Sequence, residues 1–179
     1  MKPFLIKSFS LVFSLLSVFA FAEASTLVVD DFDDNAIGAE WQTEGTTFAL
    51  SVENAALKVN YNRTVSSWEW DQFHYIFSDQ PSLFQYQITV ILKSDVAAQL
   101  AVKPVYTDGT NDWLTRDIPV ASGYSEFVFS VTTTNAKTLQ TLYFYFDGGS
   151  TTLKSGLIFI DQIVIQTTSS GLLASAISS

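Results

Sequence analysis

Cysteine is absent, histidine occurs once (His74) and methionine only at the start. No disulfide, thiol nucleophile or multi-histidine zinc centre is therefore available to this chain. Basic residues are scarce as well, nine against eighteen acidic ones, for a net charge of −9. Such a charge repels phosphate backbones and anionic lipid surfaces, so nucleic acid and polybasic-type membrane binding are disfavoured. Acidic polysaccharides are disfavoured for the same reason, which leaves neutral glycans or cations as partners. Apolar spacing of the helical kind is missing over any stretch of three turns or more, and no internal repeat is found.

The longest apolar run lies at the start. In "MKPFLIKSFSLVFSLLSVFAFAEAS" a short basic opening (Lys2, Lys7) precedes apolar residues from Leu11 to Ala22 and small residues at Ala20, Ala22 and Ala24. This is the pattern of a secretory signal with its cleavage region, and the run is short for a stable membrane span. Residues 1–24 are therefore expected to be removed, leaving an exported or cell-surface chain with no membrane attachment. Without residues 1–24, which hold two Lys and one Glu, seven basic and seventeen acidic residues remain. Residues 25–166 then form one domain, and 167–179, "TTSSGLLASAISS", read as a Ser/Thr/Ala-rich tail or the start of a linker to a further domain, catalytic or otherwise, on a longer chain.

What is abundant is period-two alternation rich in β-branched and aromatic residues. "TLVVDDF", "TFALSV", "ALKVNY", "WDQFHYIF", "FQYQITVILK", "AQLAVKPVYT", "DWLTRDIPV", "SEFVFSV", "TLYFYF" and "GLIFIDQIVI" each read as a strand. Gly, Asn and Asp punctuate the segments between them. About ten short strands at this spacing predict an all-β fold, an antiparallel β-sandwich of the jelly-roll kind.

The stretch "SSWEWDQFHYIF", residues 66–77, poses the functional question. Glu69 and Asp71 supply the first two positions of the E-x-D-x-x-E strand of jelly-roll glycosidases, but Phe73 or His74 stands where the acid/base belongs. Gln72-Phe73-His74 resembles a strand of jelly-roll alginate lyases, yet "YFYFDGG" at 143–149 lacks the lysine of their companion strand. No G-x-S-x-G elbow is present. Neither enzyme signature is complete, and catalysis ranks behind a binding or structural role. In a strand, successive side chains point to opposite faces, which places Trp68, Trp70, Gln72 and His74 together and sends Phe73, Tyr75 and Phe77 to the core. Flat indoles beside short polar groups suit a sugar, whose C–H face stacks on rings while its hydroxyls take hydrogen bonds. Trp113 in "DWLTRDIPV", and Tyr143, Tyr145 and Asp147 in "TLYFYFDGG", add to this face, and Arg116 is a further hydrogen-bonding candidate. The competing reading is a structural or protein-interaction module, which near-complete burial of Trp68, Trp70 and Trp113 would favour.

A second constellation is acidic. Asp31 and Asp33 open the domain in "VVDDFDDNAIG", and Asp161 interrupts the apolar closing segment "IFIDQIVI". A buried lone carboxylate is costly, and a calcium ion shared by Asp31, Asp33 and Asp161 would resolve it.

The "VDDFDD…W" opening, the aromatic 66–77 strand, "YQITVILKSD" and the closing "GLIFIDQIVI" together resemble the galactose-binding-like jelly-roll modules, nearest to carbohydrate-binding module family 11. The resemblance spans residues 27–166. It implies a β-sandwich with structural calcium on Asp31, Asp33 and Asp161 and a groove for β-glucan chains. Asp33 and Gln162 depart from the family's usual acids at those places. The expectation is a non-catalytic, secreted module that binds a neutral, β-glucan-like polysaccharide by stacking.

Overall fold

The computed structural model describes residues 24–64 and 70–167. Residues 1–23 of the expected export signal, Trp68 with Glu69, and residues 168–179 of the expected tail lie outside them. The ten elements are β1 (Thr26–Asp30), β2 (Trp41–Glu44), β3 (Phe48–Val52), β4 (Leu57–Arg63), β5 (Gln72–Ile76), β6 (Ser82–Ser94), β7 (Ala98–Tyr106), β8 (Leu114–Ile118), β9 (Ala121–Phe146) and β10 (Lys154–Thr167). All their pairings are antiparallel. The fold is the all-β sandwich that the alternation predicts.

The sandwich is joined through one long strand. The first half of β9 pairs with β6, and its second half lies between β5 and β7. One layer therefore runs β3-β4-β10-β6-β9, and the other β2-β5-β9-β7-β8. β1 lies against the same edge of β10 as β4, opposite Ile163–Gln166 where β4 is opposite Lys154–Ile160. The sequence pattern assigns "SEFVFSV" and "TLYFYF" to two strands with "TTTNAK" as a turn. That segment contains neither Gly nor Pro, and its threonines favour extended backbone, so the chain continues straight across. Thr133 Oγ1 caps the crossing by donating to the Phe84 carbonyl at 3.0 Å.

The core lies between the layers. Leu57, Val59 and Tyr61 of β4, Ile88, Val90 and Leu92 of β6, and Ile158, Ile160, Ile163 and Ile165 of β10 face Phe73, Leu100, Val102, Leu142, Phe144 and Phe146. Phe73 and Phe144 are direct cross-strand partners and stack at 5.2 Å and 11°. Trp41 closes one end, its Nε1–H donating to Asp30 Oδ2 at 2.7 Å.

Asp161 has a simple physical explanation. The buried isoleucines of β10 fall at 158, 160, 163 and 165, so the alternation slips by one residue after Ile160. The pairing with β6 slips at the same place, from Ile160↔Leu92 to Gln162↔Ile91. Asp161 is the extra residue of a β-bulge and is half-buried, not a carboxylate locked in the core.

Candidate functional site

The outward face of the β2-β5-β9-β7-β8 layer carries the aromatic residues. Strand alternation sets it: Phe73, Phe144, Phe146, Leu100 and Val102 point to the core, so Gln72, His74, Tyr143, Tyr145, Ala101 and Lys103 point out. Registration aligns them into rows. Gln42, His74, Tyr143 and Lys103 lie side by side across four strands. Ala101 lies between Tyr145 and Thr115 in the next row.

On this frame the rings form one contiguous cluster. His74 lies 4.6 Å from Tyr143, and Tyr143 lies 6.4 Å from Tyr145. Tyr145 lies 4.9 Å from Trp113 and 6.2 Å from Trp70. The two indoles meet at 5.8 Å and 74°. Exposure separates the cluster into two kinds of ring. Trp70 is 53% and Trp113 44% exposed, whereas Tyr145 is 5% and His74 4% exposed. The indoles are therefore the rings open to solvent, Tyr143 is half-buried beside them, and Tyr145 and His74 are packed beneath. Burial, with Tyr143 and Glu44 nearby, pushes the Tyr145 hydroxyl up to about 12.

Trp70 is held from two sides. Its neighbour Asp71 accepts hydrogen bonds from the Thr46 and Thr47 amides at 2.7 and 2.8 Å. Burial opposes the charge of Asp71, but these bonds and the nearby Arg63 outweigh it and lower its pKa. The turn approaches so closely that a Cβ on Gly45 would fall 2.0 Å from the Asp71 carboxyl carbon, and Gly45 has φ +88°. Only glycine fits there. On the other side, a Cβ on Gly148 would stand 3.2 Å from Cζ3 of Trp70, so the indole rests against bare backbone.

The turn carrying Gly148 is itself clamped. The Asp147 carboxylate accepts from Tyr61 Oη (2.9 Å), Lys154 Nζ (2.7 Å) and the Gln99 amide (2.9 Å). Arg63, 2% exposed, donates to the carbonyls of Phe146, Asp147 and Ser150. Burial, followed by the Asp147 charge and hydrogen bond, pushes the Tyr61 hydroxyl up to about 12, so it stays a donor at neutral pH.

The sequence-derived site residues thus divide. Trp70, Trp113, Tyr143, Tyr145 and His74 come together, and Gln72 joins them at the β2 side, its Nε2 donating to Glu44 Oε2 at 2.7 Å. Two residues are placed elsewhere. The Asp147 carboxylate is turned into the clamp between the layers. Arg116 shares the side of Leu114 and Ile118, with its guanidinium 5.5 Å from the core ring of Phe129. The odd-even phase of "DWLTRDIPV" already separates Arg116 from Trp113. Residues the sequence reading did not single out also reach this face: Gln42, Glu44, Gln99 and Lys103. Lys103 Nζ lies 5.8 Å from the Tyr143 ring, and no ion pair holds it among the described residues. Its signal was its place in "AQLAVKPVY", out of phase with the buried Leu100 and Val102.

Asp31, Asp33 and Asp161 are not brought together. Among the described residues no three Asp, Glu, His or Cys side chains gather as a cation site. Asp31 Oδ1 accepts the Asp33 amide at 3.3 Å, and Asp30, Asp31 and Asp34 each cap the backbone two residues on. The aspartates of this loop make turns.

His74 offers a direct check. Its Nδ1 is buried and has no hydrogen-bond partner. Burial lowers its pKa from 6.5 more than the Glu44 charge raises it. A depressed value means that stability is intact above pH 6.5 and is lost as pH falls through the folded pKa. An NMR titration of this sole histidine is expected to give a midpoint below 6.5, and a midpoint above it would contradict the packing described.

No protein-family model matches the chain, and no curated protein matches it significantly. Solved structures do. A mutant of a family 29 carbohydrate-binding module matches with a TM-score of 0.59 at 13% identity, over 81% of this chain and 93% of that one. A second mutant family 29 module, complexed with cellulohexaose, matches with a TM-score of 0.57 at 14% identity, over 80% of this chain and 92% of that one. An agarase matches with a TM-score of 0.65 at 7% identity, over 80% of this chain but 24% of the agarase. At these identities the likeness is one of fold. The two carbohydrate-binding modules are of family 29, and the resemblance to family 11 is not confirmed.

Proposed function

We propose that this protein is a non-catalytic module that binds a neutral, β-glucan-like polysaccharide on the outward face of the β2-β5-β9-β7-β8 layer. The observation that carries the reading is the pair of half-exposed indoles, Trp70 and Trp113, packed on a buried tyrosine and ringed by Gln42, Gln72, Gln99 and Lys103. Large rings left open to solvent beside polar groups are what a stacking sugar requires. A structural module would have buried them. The likeness to carbohydrate-binding modules of family 29, one of them complexed with cellulohexaose, supports the same reading.

Among the described residues, the carboxylates Glu44 and Asp117 of this face stand on β2 and β8, four strand spacings or about 19 Å apart, against at most about 10 Å in a glycosidase pair. The likeness to part of an agarase extends the proposal to attachment alongside a catalytic domain, and the N-terminal stretch "FLIKSFSLVFSLLSVFAFA" to export.

Calorimetric titration of the full chain with cellohexaose, mannohexaose and neutral agaro-oligosaccharide tests the reading. Saturable heat with one of them is the expected result, and no heat with any of them, from a folded sample, would overturn it. Structural calcium is proposed on the family resemblance alone, and the aspartates named for it do not converge, so it enters no step of binding. A rise in melting temperature on adding calcium to chelator-treated protein would support it, and an unchanged temperature would remove it.

A further inference from the structure

Two hydrogen-bonded couples of the same chemistry flank the aromatic cluster. On one side Gln72 of β5 and Glu44 of β2 are direct cross-strand partners, joined at 2.7 Å. On the other, Gln99 of β7 and Asp117 of β8 are direct cross-strand partners, joined at 3.3 Å. Strand β9, carrying Tyr145, runs between them. From the reading of this face as a glycan site, we infer that the Glu44–Gln72 and Asp117–Gln99 couples determine specificity: they read the hydroxyls of an uncharged oligosaccharide and exclude an anionic one.

The chemistry follows from what each couple leaves unused. The amide spends one N–H on its carboxylate, which fixes its orientation on the face. What remains on each side is a carbonyl oxygen, a second N–H and the carboxylate's unused lone pairs, a set rich in acceptors. Sugar hydroxyls donate to such a set, and a charged acceptor strengthens those bonds. A sulfate or uronate oxygen has no proton to donate and meets negative charge at both ends. Lys103, on β7 in the row of His74 and Tyr143, adds a charged donor for hydroxyl oxygens near Tyr143. Strand spacing separates the couples by about 14 Å across the sheet, with Gln99 two residues further along than Gln72, the reach of a short oligosaccharide lying obliquely across β9 and stacked on the indoles.

The test uses the full chain, its Glu44→Gln and Asp117→Asn variants, and two probes: the neutral hexasaccharide that binds the wild type, and the same hexasaccharide chemically sulfated. Both carboxylates are exposed, so the variants are expected to keep the wild-type melting temperature. Each is expected to lose about tenfold in affinity for the neutral probe. Each is also expected to narrow the gap between neutral and sulfated probes, a change that a purely structural role would not produce. Unchanged affinity together with an unchanged gap would overturn the inference while leaving the glycan site standing. A wild type that binds none of the neutral probes would overturn the parent reading, and this inference with it.

Discussion

Replacing Trp70 and Trp113 together by alanine is expected to abolish measurable glycan binding while leaving a folded protein. Central aromatic anchors of a binding surface cost about 2 kcal/mol or more each on truncation, or roughly thirtyfold in affinity. The indoles touch at 5.8 Å, so removing one also loosens the other, and the pair is expected to fall short of full additivity. A loss between about a hundredfold and a thousandfold is the expected outcome of isothermal titration with the double variant. Folding is affected less, because both rings are half in solvent and what is lost is mainly their ring contacts with Tyr145 and each other, about 1 kcal/mol apiece. A double variant that keeps its affinity would show that the ligand lies elsewhere.

The second large effect falls on stability. Asp147→Ala removes a carboxylate, 13% exposed, that joins Tyr61 and Lys154 of one layer to the Gln99 backbone of the other. Breaking a mostly buried pair on one side leaves Lys154 and Tyr61 without their partner and costs about 3–5 kcal/mol. Asp147 also has φ +50°, a left-handed conformation that asparagine tolerates and alanine resists. The expected result is a drop of roughly 10 °C in melting temperature for Asp147→Ala and a smaller one for Asp147→Asn. The adjacent Gly148 is the rest of Trp70, so affinity is expected to fall with stability in the alanine variant. Equal melting temperatures for the wild type and both variants would remove Asp147 from this role.

The architecture was largely legible because alternation reports directly which side of a strand meets the core. Phe73, Leu142, Phe144 and Phe146 fall where period two puts them, and so do Tyr143 and Tyr145 on the opposite face. Alternation does not say where a strand ends if no Gly or Pro ends it, and β9 therefore runs through "TTTNAK". Nor does it reveal a bulge: Asp161 breaks the apolar alternation because the pairing slips between Ile160 and Gln162. Short edge strands carry little pattern, so β2, four residues long, escaped notice and Glu44 with it.

The site was legible in composition and less so in role. Facing outward is not the same as being exposed, because neighbouring rings bury one another. His74 and Tyr145 share a face with the indoles and are still covered, so they support the surface instead of forming it. Asp147 ends an outward-phased series, but the left-handed turn at that residue redirects its carboxylate between the layers. Partners across strands, such as Gln99 for Asp117, become visible only with the register.

The most direct test follows the indole N–H signals by NMR as the binding hexasaccharide is titrated into the full chain. Trp41 is an internal control: its ring is buried on the core side of the layer against Phe73 and Phe144, and its Nε1–H is held by Asp30. The expected result is saturable shifts of the Trp70 and Trp113 signals with that of Trp41 unmoved. Binding that leaves both Trp70 and Trp113 unshifted would contradict the assignment of this face as the glycan site.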